Sequence, residues 1–146
     1  MVYKIFTKYD ILKKYHIELE TCYNFSKEIS LGYFKENPYH NVTHIVDSIQ
    51  AMHYLLTVGS LETQLKKLDV FAMLLSNIIH DYEHPGYSNQ FIVRTKHPLA
   101  IRYSDQCVLE NHHLASAFNI ILKKDDCNVL KNLPRDLYME ARKLII

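Results

Sequence analysis

LETQLKKLDVFAMLLSNIIH, residues 61–80, is the stretch that decides the fold class. Leu61, Leu65, Leu68, Ala72, Leu75 and Ile79 step by four, three, four, three and four residues. That spacing lays one apolar stripe along an α-helix, whereas a half-buried strand would alternate by two. Val70, Phe71, Met73, Leu74 and Ile78 make the second half apolar all round. A helix with no polar face must be buried, so the spacing predicts a central helix over 61–80. Gly59 interrupts the preceding segment and Ser60 is the expected N-cap. Pro85 and Gly86 stop the run just beyond His80 and Asp81.

The same reading extends outward. Ile45, Ile49, Met52 and Leu56 predict a helix over 40–56 with an apolar stripe, and His40, His44 and Asp47 fall at i, i+4 and i+7 beside it. Leu109, Ala117, Ile120 and Ile121 predict another over 105–123. Shorter helices are expected near 9–22, 25–36, 97–103 and 135–146, with Pro134 in the first turn of the last. No segment alternates with period two. Only 3 glycines occur in 146 residues, so turn punctuation is sparse. The expected fold is all-α, a compact multi-helix bundle.

Composition narrows the function classes. A chain of 146 residues fits one domain with a real core, and 48% apolar residues argue against disorder. Lys and Arg number 17 against 16 Asp and Glu, and this balance gives no footprint for nucleic acid or an anionic membrane surface. No apolar run reaches the roughly 18 residues of a spanning helix. The N-terminus lacks a signal-peptide pattern. Cys22, Cys107 and Cys127 are scattered and odd in number, which suggests reduced thiols in a cytoplasmic setting.

The chemistry concentrates in two short clusters. His80-Asp81-Tyr82-Glu83-His84-Pro85-Gly86-Tyr87-Ser88-Asn89 follows the central helix, and Tyr39-His40-Asn41-Val42-Thr43-His44 lies about one helix earlier. Neutral imidazole and carboxylate are the usual ligands of zinc and related divalent ions. His40 and His44 share a helix face at i, i+4, so one can hold a metal while the other reaches a substrate. The plainer alternative is two polar residues on a solvated face. His80 and Asp81 point about 100° apart on a regular helix and converge only if its end distorts. Their position at the end of a buried helix, where charge is costly, favours a functional reading over a capping histidine with an exposed aspartate. Glu110 and His113 are three apart and can together hold waters around a metal, or form an ordinary polar face with Asn111 and His112. His16, His53 and His97 lack partners at ligand spacing and are read as structural or surface residues. No Gly-rich phosphate loop and no Ser or Cys nucleophile motif occurs.

Three stretches in order carry a likeness: Tyr39-His40-Asn41 through His44 and Asp47, then the H-D-x-x-H-x-x-x-x-N pattern from His80 to Asn89, then Val108-Leu109-Glu110-Asn111-His112-His113. Leu99-Ala100 and Tyr103-Ser104-Asp105 agree as well. On these residues the chain resembles the catalytic domain of class I 3′,5′-cyclic nucleotide phosphodiesterases, a bundle of the HD-domain type. The resemblance implies hydrolysis of cAMP, cGMP or both to 5′-monophosphates. It implies His40 as general acid toward the leaving ribose oxygen. It implies His44, His80 and Asp81 as ligands, with Asp81 bridging two divalent ions, zinc and magnesium (or manganese). It implies His84, Asn89, Glu110 and His113 as residues that organise waters, and Tyr39 as part of the pocket wall.

The family's last aspartate ligand, its purine-reading glutamine and its base-clamping aromatic have no counterpart before Ile146. The expectation is that residues 1–146 form a truncated, N-terminal part of such a domain, weakly active or inactive alone and prone to self-association through the truncated face. The alternatives are a non-catalytic binding or regulatory fragment, or another HD-type metal phosphohydrolase. Asn77 stands where the family more often has a small apolar residue. Nucleotide preference and any membrane association of the parent protein stay open.

Overall fold

The computed structural model describes all of residues 1–146, and every regular element in it is helical. The order is α1 (Val2–Lys8), α2 (Ile11–Lys14), α3 (Leu19–Leu31), α4 (Val42–Val58), α5 (Lys67–Ile79), α6 (Asn89–Arg94), α7 (Pro98–Arg102), α8 (Val108–Lys123) and α9 (Arg135–Ile145). Short 3-10 turns at Leu61–Thr63 and Asp125–Cys127 complete it. No helix is long and apolar enough to cross a membrane.

Helix α5 is the central element. Leu68, Val70, Phe71, Ala72, Leu74, Leu75, Ile78 and Ile79 are all buried, because α4, α8 and α9 pack around it. Phe71 meets Phe6 edge-on at 5.6 Å and stacks on Tyr15 at 5.3 Å, which draws the N-terminal helices onto the core. A ring so enclosed contributes about 3–5 kcal/mol relative to alanine. Ile92, Ala100, Val108 and Leu109 form a second, small cluster that joins α6, α7 and the start of α8.

The helix boundaries differ from the expected ones for local reasons. Helix α5 starts at Lys67 rather than Leu61. Ser60 sits at φ 51° with no side-chain cap, and residues 61–63 form only a 3-10 turn. The Asp69 carboxylate accepts from the Lys66 amide at 2.9 Å, and this delayed N-terminus replaces the expected Ser60 cap. Helix α4 starts after Asn41, whose Oδ1 accepts from the amides of Thr43 (2.9 Å) and His44 (3.4 Å). His40 therefore lies outside the helix in which its spacing would place it.

The expected helices near 9–22 and 25–36 are instead α2 and one continuous α3. His16 turns left-handed at φ 51° between them. Helix α8 starts at Val108, not Asp105, because Asp105 and Cys107 are left-handed at its entry. His97 caps α7, its Nδ1 accepting from the Leu99 amide at 3.2 Å. Pro134 precedes α9 rather than entering its first turn. Helices α1 and α6 carry no long apolar stripe, and the sequence pattern does not predict them.

Gly32 ends α3 at a close approach. A Cβ there would lie 2.1 Å from the Tyr82 ring. The Gly32 carbonyl accepts from the Glu83 amide at 3.1 Å, and the Tyr33 hydroxyl donates to the Ile78 carbonyl at 2.9 Å. These contacts pin the end of α5 and the turn after it, which is where the chemistry lies.

Candidate metal centre

The end of α5 and the first turn of α4 face each other. His44 Nε2 lies 3.3 Å from His80 Nε2 and 3.2 Å from Asp81 Oδ2, and His80 Nε2 lies 3.1 Å from the same oxygen. Ligands about 2.0–2.1 Å from a tetrahedral ion stand about 3.3–3.4 Å apart, so this triangle fits one divalent cation. The local reason is the helix end. Helix α5 stops at Ile79, and His80 and Asp81 leave it in a turn that brings both side chains to one side.

The donor chemistry agrees with the geometry. His80 Nδ1 is 2.8 Å from the Asn77 carbonyl. Only an Nδ1–H can serve there, and that tautomer turns an Nε2 lone pair toward Asp81. A carboxylate and imidazole lone pairs that converge on one point need a cation or a proton between them. The Asp81 carboxylate does raise the pKa of His80, chiefly by direct contact. Burial disfavours the Asp81 charge, but the His80 contact and the imidazoles of His80, His40 and His113 outweigh it and hold the carboxyl at about 2. The spot therefore attracts positive charge.

A second group shares Asp81. His40, Asp81 and His84 each place one ligand atom within 4.8 Å of the others. The His40 ring stacks on His84 at 3.7 Å and 10°, and His84 is nearly parallel to His113 at 5.3 Å. His84 Nδ1 accepts from the Gly86 amide at 3.0 Å, so in the neutral ring the proton sits on Nε2. His113 Nδ1–H donates to the Tyr82 carbonyl at 2.7 Å, leaving its Nε2 4.0 Å from Asp81 Oδ1. Tyr39 is exposed, with its ring 4.5 Å from that of His44. It lines an open groove of about 470 Å³ with Pro38, Asn41, Thr43, His44 and Asp47.

The family model for 3′,5′-cyclic nucleotide phosphodiesterase matches residues 39–146. The chain belongs to the 3′,5′-cyclic nucleotide phosphodiesterase family. The mouse dual specificity calcium/calmodulin-dependent 3′,5′-cyclic nucleotide phosphodiesterase 1C is 39% identical over 145 residues, covering 99% of this chain and 20% of that protein. A probable 3′,5′-cyclic phosphodiesterase of Caenorhabditis elegans is 38% identical, with 99% and 22% covered. The chain thus spans about a fifth of the length of these relatives. The crystal structure of the phosphodiesterase domain of the RhoPDE fusion protein from the choanoflagellate Salpingoeca rosetta superposes with a TM-score of 0.92 at 33% identity. It covers 99% of this chain and 44% of that one.

Within this phosphodiesterase-family chain, Asn89 and Glu110 form a unit of their own. Asn89 Nδ2 donates to both Glu110 oxygens, at 3.2 and 3.0 Å, and its Oδ1 accepts from the Leu109 amide at 2.9 Å. Asn89 thereby ties α6 to the start of α8 and lowers the Glu110 pKa. The structure places neither of them in the two ligand groups.

Asn37 escapes a reading of the sequence. Its Nδ2 donates to the carbonyls of His84 (2.7 Å) and His40 (3.2 Å), which binds the two histidine loops together. The Asn37-Pro38 pair marks a turn, but nothing local shows what the amide would hold. Gly86, at φ 84°, is required beside it, since a Cβ would lie 2.8 Å from Asn37 Oδ1. Asn77 donates to Ser48 Oγ at 2.9 Å, linking α5 to α4, while its Oδ1 is buried without a partner.

The buried imidazoles give the phosphodiesterase-family fold a pH signature. Burial, with the neighbouring His40 and His113, pushes His84 down to about 4 from its ordinary 6.5. Burial lowers His112 and His113 as well. On acidification the unfolded chain takes these protons first, so their contribution to stability is present above pH 6.5 and is lost toward pH 4. Asp81 adds a second loss between its ordinary 3.8 and about 2. His80 has the opposite sign: its contribution is full below 6.5 and fades as pH rises through its raised pKa. In chelator-treated protein the denaturant midpoint is expected to fall steadily from pH 6.5 to 4, and His84→Asn should flatten that limb. Equal slopes in the two proteins would show that His84 is not held neutral.

Proposed function

We propose that this chain carries the metal-binding face of an active site that hydrolyses 3′,5′-cyclic nucleotides, cAMP or cGMP or both, to 5′-monophosphates. The observation that carries the proposal is the triangle of His44, His80 and Asp81 with edges of 3.1–3.3 Å. In this reading these three residues would hold one divalent ion, and Asp81, common to both ligand groups, would be shared with a second. Zinc with magnesium or manganese, when bound, neutralises phosphate charge and lowers the pKa of water.

The chain's own residues do the rest. His40 delivers a proton to the ribose oxygen that leaves phosphorus, from a position fixed by stacking on His84 and by Asn37 on its carbonyl. His84 Nε2–H donates toward the space beside Asp81. His113, anchored on Tyr82, accepts there. Glu110, held by Asn89, orients water at the edge. Tyr39 forms one wall for the substrate.

The free thiols of Cys22, Cys107 and Cys127 fit a cytoplasmic setting. Self-association belongs to the same proposal. A groove of about 670 Å³ lined by α4, α5 and α9 presents the half-buried Met52, Leu65 and Met73 and the exposed Leu144, and a second copy would cover it. A single monomeric species across a concentration series in sedimentation would remove that part.

The function itself is tested in the protein that carries this chain. Cyclic AMP and cyclic GMP should each be assayed for conversion to the 5′-monophosphate, before and after chelation. Metal-dependent turnover of at least one is expected. Turnover of neither by metal-replete protein would overturn the proposal.

A further inference from the structure

The turn that follows α5 contains a left-handed residue with a side chain. Glu83 has φ 58°, a left-handed region that is strained for a residue bearing a Cβ. It stands between Asp81 and His84, whose ligand atoms face the same space. Something must hold this conformation. The Glu83 amide donates to the Gly32 carbonyl, but that contact would serve any residue at the position.

The side chain makes a more particular contact. Glu83 Oε2 lies 3.3 Å from Nε2 of His112 on α8. The His112 ring is buried, with its Nδ1 3.4 Å from Ser116 Oγ and the Tyr103 ring 6.2 Å away. A buried ring nitrogen needs a polar partner, and the Glu83 carboxylate is the one that its Nε2 meets. The next residue, His113, holds the Tyr82 carbonyl. Two consecutive imidazoles of α8 thus grip two consecutive residues of the turn, one by main chain and one by side chain. Neither Glu83 nor His112 contributes to the ligand groups themselves.

We infer that Glu83 and His112 are a positioning pair whose contact holds the left-handed turn that aims Asp81 and His84 into the metal centre. The inference rests on the metal-centre reading of the proposed function. It treats the pair as support for the ligands, a role whose loss typically weakens metal binding by about 10–100-fold.

Glycine separates positioning from plain electrostatics. Glu83→Ala loses the carboxylate and keeps the left-handed cost, whereas Glu83→Gly loses both. Co²⁺ is titrated into the metal-free protein that carries this chain and followed by its visible absorption. Glu83→Ala and His112→Phe should each bind about 10–100-fold more weakly than the original chain. The double variant should bind no more weakly than the weaker single one, because both remove one contact. Glu83→Gly should bind within about threefold of the original. Full affinity in Glu83→Ala, or equal weakness in Glu83→Ala and Glu83→Gly, would overturn the pair.

Amide hydrogen exchange of residues 83 and 86 in metal-free protein gives a reading that does not depend on metal. Exchange should quicken by about tenfold or more in Glu83→Ala and remain slow in Glu83→Gly. If the original chain binds no Co²⁺, the metal-centre reading fails and exchange alone decides the pair. Unchanged exchange in Glu83→Ala would then refute it.

Discussion

Asp81→Ala weakens Zn²⁺ binding by the chain roughly 10²–10⁴-fold, the largest effect expected of any single substitution at the site. Asp81 is the one residue common to both ligand groups. It is also the carboxylate that the surrounding imidazoles hold at about 2. Removing one partner of a desolvated charge pair costs about 3–5 kcal/mol, which converts to that range of affinity. The loss has two sources. The cation loses its counter-charge, and the imidazoles of His44 and His80 are left facing each other 3.3 Å apart. Asp81→Asn preserves shape and loses charge, so it should fall close to the alanine variant. Asp125, far along the chain with an exposed carboxylate, serves as the control, and its alanine variant should bind as the original does. Competition with a chromophoric chelator gives the affinities. Binding by Asp81→Ala within a few-fold of the original would dismantle the proposed centre.

His40→Ala should leave that affinity nearly intact and lower kcat by about 10²–10⁴-fold in the protein that carries this chain. The motivation is its place. His40 stacks on His84 at 3.7 Å and approaches Asp81, yet stands apart from the triangle of His44, His80 and Asp81. A group that gives its proton only as the ester bond breaks contributes little to ground-state binding, so KM should move far less than kcat. Metal content measured beside the kinetics separates this from loss of the ions. An unchanged kcat at full metal occupancy would remove His40 from the acid role.

Much of the fold is legible in the chain because helix formation leaves a local trace. The stripe from Leu68 to Ile79 marks α5, and its all-round apolar second half marks it as central. The boundaries are less legible. Whether α5 starts at Ser60 or Lys66 depends on which side chain caps which amide, and Asp69 wins by reaching Lys66. His40 looks helical by spacing, yet Asn41 takes the cap position and leaves it in the preceding loop.

At the site, residue chemistry marks His40, His44, His80 and Asp81 as candidates, and the family resemblance implies that His44, His80 and Asp81 are the ligands. Local sequence determined that these side chains could act as ligands and that a helix end would present two of them. It also determined the order of the longer helices α4, α5 and α8, through their periodicity. Only the tertiary structure decided that His44 crosses 36 residues of chain to stand 3.3 Å from His80, because that distance depends on how α4 packs on α5. It alone decided that Asn37 would bind two histidine loops, that Asn89 would hold Glu110, and that His112 would meet Glu83. Apart from the short Asn37-to-His40 bond, each of these contacts joins segments distant in sequence. Their energy comes from burial and orientation that exist only after the helices have packed, so no local pattern encodes them.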